Sequence, residues 1–221
     1  MTIIFLYSPF PGSGKTTAAD YLCQHHNFHK VSFATALRNI ATTLLLQLGY
    51  SKEEALCYLT SKKNEHIPCF NQVTGRYLLQ KLGTEYGRKM IADDIWLQAF
   101  YHLCKKIKAK GANRKSGVRL VCDDLRFPNE FDYAEDAGGY TVWINRKSAV
   151  PKKPVAPAFL QSITWGVPIL RRGMAHFFTF HHPSNNALKG REREFTYVIS
   201  NDTDEIDLEY TMDLIVERIF K

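Results

Sequence analysis

The residues best suited to chemistry are Gly12-Ser13-Gly14-Lys15-Thr16-Thr17. Glycines allow backbone N–H groups to turn toward an anion, a lysine adds a full positive charge, and the hydroxyl behind it suits a divalent cation. In this order they describe a cradle for a nucleoside triphosphate, with Lys15 reaching the β- and γ-phosphates and Thr16 on Mg²⁺. The full pattern G-x-x-x-x-G-K-[ST] asks for glycine five places before Gly14, where this chain has Pro9. Proline offers no N–H and fixes φ at about −65°. The front of the loop is therefore expected to take another shape, while the phosphate-cradling half is intact. The plainer reading is an ordinary strand–turn–helix corner.

A second set is Asp123-Asp124-Leu125-Arg126-Phe127-Pro128-Asn129-Glu130. An apolar strand that ends in aspartate, well after a phosphate loop, suits a carboxylate holding Mg²⁺ directly or through water. Asp124 and Thr16 are the expected metal residues, and Arg126 would meet phosphate charge. The alternative is a strand-terminating turn, since Asp and Pro are common in turns, with Arg126 an ordinary ion-pair partner. A third set is Arg38, Arg76, Gln80, Thr84 and Trp96. Arg38 is expected in the first turn of a helix, where a cation opposes the helix dipole unless it faces an anion. Arg76 and Gln80 are four apart and share a helical face, with Gly83-Thr84 a turn further on. Together they offer a guanidinium, an amide and a hydroxyl for phosphate and a base edge, or else a solvated polar stripe. Trp96 reads equally as core or as a stacking platform.

The elements that must position these groups follow from periodicity. Residues 3–7 (IIFLY), 29–33 (HKVSF), 117–122 (GVRLVC), 140–145 (YTVWIN) and 195–200 read as strands. Helices are expected after the phosphate loop, from Thr35 as N-cap to about 48, over 51–59 with a Ser51–Glu54 capping box, and from Thr74 onward. Others are expected after Asp93 or Asp94, over about 129–137 with Gly138-Gly139 as the stop, and over 205–220. Strands alternating with helices make an α/β fold with a parallel sheet. Ligands then gather at the carboxyl ends of strands, where the phosphate loop and Asp123-Asp124 are both expected. Residues 147–193 differ in texture, with five prolines and three histidines. This stretch reads as a lid, with Arg171, Arg172 and His182 as candidates to act on phosphates. His181 and His182 have no partner at metal-ligand spacing.

With 221 residues, 45% apolar and 13% aromatic, the chain is expected to be a single globular domain with room for a lid. No apolar run approaches the roughly 18 residues of a membrane span, and no signal-peptide pattern is present. The five cysteines form no C-x-x-C, which fits buried or incidental thiols in a reducing, cytoplasmic setting. The net charge of +7 comes from basic groups at 105–119, 146–153, 171–172 and 189–193. These suit solvated surfaces or small polyanions such as ATP better than a nucleic-acid groove. A homodimer is compatible with the sequence but not read from it.

Several blocks together carry a resemblance. They are SGKTT, SFATALR, TGRYLLQKLGTEYGR followed by DDIW, DDLRFPNE with its trailing GG, HPSNNAL and VISND. The chain resembles the deoxynucleoside monophosphate kinases of bacteriophages and large DNA viruses, over nearly its whole length apart from much of 147–180. The combination of Q-x-L-G-T-E with D-L-R-F-P-N-E is specific. The resemblance implies a three-layer P-loop NTPase fold with a parallel sheet flanked by helices, a helical acceptor-binding region over 34–110 and a lid over 147–193. It implies transfer of the ATP γ-phosphoryl to a (d)NMP for DNA precursor synthesis, with Mg²⁺, in the host cytoplasm if the source is viral. It also implies roles for Lys15 and the loop backbone on ATP, and for Arg76, Gln80, Gly83, Thr84 and Trp96 around the monophosphate. Asp124, Arg126 and Glu130 would stand near the reacting phosphates and metal, with Arg38 and Arg88 as further phosphate partners. The chain departs from the family at Thr16, often aspartate there, at Tyr77, commonly lysine, and at Asn185, commonly glutamate. These departures bear on base specificity and lid chemistry. Competing readings are another small-molecule P-loop kinase of the phosphomevalonate kinase type, which gives no reason for 80–85 and Trp96, and a nucleic-acid-binding or DNA-end-modifying ATPase.

Overall fold

A computed structural model describes residues 1–111, 117–146, 187–202 and 205–221. Five strands, β1 (Thr2–Tyr7), β2 (His29–Val31), β3 (Arg119–Cys122), β4 (Tyr140–Asn145) and β5 (Tyr197–Ser200), form a sheet in the order β2-β3-β1-β4-β5. β1 is buried from Ile3 to Tyr7 and β4 from Thr141 to Ile144. Such continuous burial is expected of parallel strands covered on both faces. The chain divides into two compact units, one of residues 1–2 and 29–124, the other of 3–28 and 125–221.

In the first unit β2 and β3 pair in parallel, from His29 opposite Leu120 to Val31 opposite Cys122. Helices α2 (Thr35–Gln47), α3 (Lys52–Leu59), α4 (Gly75–Gln80) and α5 (Ile95–Lys110) belong to this unit. Ala41, Leu45, Ala55, Leu59 and Ile67 form its core, joined by the expected stripe Leu78, Leu79 and Leu82. The Ser51–Glu54 capping box is present, with Ser51 N–H donating to Glu54 at 2.8 Å and Glu54 N–H to Ser51 at 3.2 Å. Two expectations are corrected. Thr35 is the first helical residue of α2 and not its N-cap; Ala34 takes that place, and the N–H groups of Phe33 and Ala34 are held by a carboxylate from the end of β3. The helix that starts at Thr74 is α-helical only to Gln80 and continues as a π-helix over Lys81–Ile91.

In the second unit β4 pairs in parallel with both β1 and β5, from Ile4 opposite Tyr140 and from Val142 opposite Tyr197. Its helices are α1 (Lys15–His25), α6 (Pro128–Asp136) and α7 (Glu205–Phe220). Pro128 sits at the first position of α6, where its missing N–H costs nothing. An aromatic cluster fills the interior, with Tyr7–Trp143 centroids 4.7 Å apart and Phe195 within 5.5 Å of Tyr7, Trp143 and Phe131. Burial pushes the Tyr7 hydroxyl up to about 12. Residues 187–193, at the end of the expected lid, are anchored by buried Leu188 and by Arg191, which bonds to Glu194 and to Asp132 of α6. Arg171, Arg172 and His182 lie outside the described residues. Among the described residues no helix is long and apolar enough to cross a membrane.

Asp213 clasps α7 to α1. Its carboxylate accepts from the Tyr21 hydroxyl at 2.9 and 3.0 Å and from His26 Nε2 at 2.7 Å. Burial works to raise its pKa, but the hydrogen bonds from His26 and Tyr21 outweigh it and hold the carboxyl below the usual range. A carboxyl lowered in the folded state adds stability above its ordinary value of 3.8 and loses that contribution as the pH falls past it. Asp213→Ala should cost about 1 kcal/mol in urea unfolding at pH 7, a modest figure because the pair is partly exposed. The gap from wild type should close as the pH is lowered through the acid range; a pH-independent gap would remove the electrostatic account.

Candidate active site

The loop between β1 and α1 is shaped by two glycines of positive φ, Gly12 at 76° and Gly14 at 98°. Gly14 is the N-cap of α1, and no side chain caps the helix. The first turn of α1 carries no acidic residue, which keeps its amide dipoles favourable to an anion. Lys15 Nζ bends back over the loop to Phe10 O and Ser13 Oγ, each at 3.4 Å. Gly14 is required twice over. Its φ excludes other L-residues, and a Cβ there would run into the Asn201 amide and Leu208. At the Pro9 departure the chain is held by Phe10 N–H donating to Ser8 Oγ at 3.3 Å.

Two residues that sequence reasoning gave no role brace this loop. Asn201, buried at the end of β5, donates from Nδ2 to Ser13 O at 2.9 Å, and its own N–H donates to Asn145 O at 2.7 Å. Arg146 donates from Nη1 to Gly12 O at 3.2 Å. The signal available was the position of both just after sheet strands, where side chains meet a phosphate loop. A cavity of about 440 Å³ opens beside them, lined by Phe10, Arg146, Val198, Ile199 and Asp202 among others.

Arg126 is exposed, and its guanidinium has no partner among the described residues. Its backbone is fixed, since Glu130 Oε2 accepts from the N–H of Arg126 at 2.8 Å and of Phe127 at 3.1 Å. Glu130 is buried and so supports the turn that presents Arg126.

In the first unit Asp124 is buried, and four donors reach its carboxylate. Oδ1 accepts from Phe33 N–H at 3.0 Å and Cys122 Sγ at 3.1 Å; Oδ2 accepts from Ser32 Oγ at 2.5 Å and Ala34 N–H at 3.1 Å. Arg38 lies in the first turn of α2 as expected and donates from Nη1 to Ser32 Oγ at 3.3 Å. Arg76 is oriented by Nε donating to Asn64 Oδ1 at 2.8 Å. Gln80 and Thr84 are half-buried, at the end of α4 and in the π-helix. Arg88 is buried and donates to Asp93 O at 2.7 Å.

Trp96 proves to be core. Its ring is buried, and its indole N–H donates to Gly83 O at 2.7 Å. A Cβ on Gly87 would come within 2.5–2.9 Å of the ring. The tryptophan therefore stands flush against the π-helix that carries Gly83, Thr84 and Arg88, and it positions that stretch. Such i→i+5 helices are rare and concentrate at functional sites.

The loop and Lys15 fit a triphosphate. Thr16, at the start of α1 and exposed, fits a magnesium ion shared with phosphate oxygens. The four donors on Asp124 fill the lone-pair capacity of a carboxylate, so in this arrangement its oxygens do not fit a direct metal ligand. Among the described residues no group of three or more His, Cys, Asp or Glu could hold a metal.

Known proteins give the following likenesses. The chain is 31% identical over 138 residues to a protein of Acanthamoeba polyphaga mimivirus named "Putative deoxynucleotide monophosphate kinase", covering 61% of this chain and 69% of that one. Dephospho-CoA kinase from Campylobacter jejuni superposes with a TM-score of 0.41 at 14% identity, covering 99% of this chain and 97% of its own. Shikimate kinase from Aquifex aeolicus does so with 0.42 at 12% identity, covering 98% and 96%. These two scores are low, and the fold rests instead on the sheet order and the β1–loop–α1 corner. No family model matches the chain.

The Trp96 contact makes a separable prediction. Trp96→Phe keeps most of the ring but leaves Gly83 O without its donor, and should cost about 1–3 kcal/mol. Gly87→Ala should cost a similar amount by overpacking. Denaturant unfolding of both variants checks this, and wild-type midpoints for both would refute the packed lock.

Proposed function

The chain belongs to the deoxynucleotide monophosphate kinase family, and we propose that it transfers the γ-phosphoryl of ATP to a deoxynucleoside monophosphate, yielding ADP and the diphosphate. The observation that carries the reading is the loop corner: positive-φ glycines, an uncapped helix start free of acidic residues, and Lys15 arched over the loop. That corner suits the polyphosphate of ATP. The cavity lined by Phe10, Val198 and Ile199 has the volume and apolar wall for the nucleoside part. Arg38, Arg76 and Arg88, with Gln80 and Thr84, are proposed to take the acceptor.

An oxygen of the acceptor phosphate attacks the γ-phosphorus in line, and the bond to the β–γ bridging oxygen breaks. The acceptor is already ionised near pH 7, so no side chain need remove a proton. The residues bind, orient and neutralise: Lys15 follows charge moving onto the leaving β-phosphate, and Arg126 is proposed to meet the transferring group. A magnesium ion bound with Thr16 would supply further charge neutralisation across the phosphates. Glu130 and Trp96 act on substrate only through the backbone they hold. A role in DNA precursor synthesis follows from the product class and belongs to the same proposal.

ADP release in a coupled assay, with Mg·ATP and in turn the dNMPs, NMPs, phosphomevalonate and 5′-hydroxyl oligonucleotides, tests this reading. Turnover is expected with one or more dNMPs. Turnover with phosphomevalonate or an oligonucleotide alone would replace it with the corresponding activity. Lys15→Ala should remain folded and lose about 100-fold or more in kcat; wild-type turnover by this variant would remove Lys15 from the chemistry.

A further inference from the structure

Ser32 occupies the point where three polar groups of the first unit meet. Its side chain is buried. The hydroxyl donates to Asp124 Oδ2 at 2.5 Å, and its oxygen accepts from Ala34 N–H at 3.1 Å and from Arg38 Nη1 at 3.3 Å. One donor and two acceptor sites are the whole capacity of a hydroxyl, and an ionised carboxylate can only accept. The proton of Ser32 is thus committed to Asp124, and its lone pairs are turned to the amide and the guanidinium. Asp124 in turn is fixed by Phe33 N–H, Ala34 N–H and Cys122 Sγ. The remaining donors of Arg38 meet no partner among the described residues.

We propose that Ser32 is a positioning residue for the phosphoryl transfer: locked by Asp124, it aims Arg38 at the phosphate of the acceptor nucleotide. This rests on the reading of the chain as a deoxynucleoside monophosphate kinase. A guanidinium holds phosphate best through two parallel N–H bonds in a fixed plane. Anchoring one Nη1 hydrogen on a neutral oxygen fixes that plane and leaves the full positive charge for the substrate. In the same network the Asp124 oxygens are spent on holding Ser32 and the turn into α2. Ser32 touches no reacting atom in this account and acts only through Arg38.

The test measures kcat and KM for each substrate, together with calorimetric binding of the preferred dNMP, in wild type, Ser32→Ala, Ser32→Thr, Arg38→Ala and the Ser32→Ala/Arg38→Ala double variant. Ser32→Ala should raise KM and Kd for the dNMP about tenfold, the scale of a lost bond to a charged group, and leave KM for Mg·ATP within twofold. Ser32→Thr, which keeps the hydroxyl, should restore most of the affinity. The double variant should be no worse than Arg38→Ala alone, because the serine has nothing left to position. Multiplying effects in the double variant, or equal KM changes for both substrates with a lowered unfolding midpoint, would overturn the proposal in favour of a purely structural serine. Wild-type dNMP turnover with an unchanged Ser32→Ala would overturn it alone. A wild type that neither turns over nor binds any dNMP would overturn the kinase reading and this proposal with it.

Discussion

A carboxylate taken out of water must recover its solvation from the protein, and Asp124 does so with four donors: two backbone amides, a hydroxyl and a thiol. Those donors come from the last residue but one before it and from the turn that leads into α2. The exchange is mutual. The turn gives the carboxylate its Phe33 and Ala34 amides, and α2 begins at Thr35 with no side-chain cap. The start of α2, and with it the first-turn Arg38, is thereby set by the end of β3, about ninety residues later in the chain. The packing of this unit continues outward from that corner. Gly83 packs so close to Leu37 that a Cβ would meet it at 2.9 Å, and Trp96 then fixes Gly83 by its carbonyl.

The phosphate loop follows the same economy in the second unit. A loop of glycines has little intrinsic rigidity, since glycine loses more conformational freedom on folding than any other residue. Here the loop is pinned by residues far along the chain: Asn201 on the Ser13 carbonyl, 188 positions away, and Arg146 on the Gly12 carbonyl, 134 away. Both bonds take carbonyl oxygens, and satisfying those leaves the N–H side of the loop for an anion. Asn201 also packs where a Cβ on Gly14 would stand. The brace and the glycine are thus one constraint, and neither can change without the other.

The sequence was most legible where local chemistry decides structure. A buried β-branched strand followed by Gly-x-Gly-Lys-Thr, a Ser-x-x-Glu box and a helix stopped by Gly138-Gly139 are short-range patterns, and each appears where its spacing puts it. It was least legible where a distant group replaces a local one. Thr35 has the residue type of a cap, but Ala34 takes the position in a turn held by Asp124, an aspartate brought back by the sheet that leaves no mark near residue 35. The continuation of α4 as a π-helix is equally unmarked in the local sequence, and the contact it makes there, the Trp96 indole on the Gly83 carbonyl, comes from another helix. Trp96 itself offered two readings, and the absence of a side chain on Gly87 decides between them by giving the ring a flat place to lie. Arg146 and Asn201 escaped notice as braces for the related reason that their partners are carbonyls, which every residue has.

The arginines show how anchoring and charge are kept apart. Arg191 is gripped by carboxylates, at 2.6 Å from Glu194 and 3.4 Å from Asp132. Its charge is cancelled locally, and it serves the packing of the segment beside α6. Arg38 is held by a hydroxyl, and Arg126 through its backbone amide on Glu130. A neutral acceptor, or a bond to the main chain, restricts where the guanidinium can go without neutralising it. For a guanidinium proposed to meet phosphate, this division is the favourable one. A carboxylate anchor on the guanidinium would compete with the phosphate for the same fork and would have to be displaced at every binding event. The carboxylates near these arginines are instead turned onto backbone amides and a serine. There they rigidify the frame and leave the charge of Arg38 and Arg126 uncancelled.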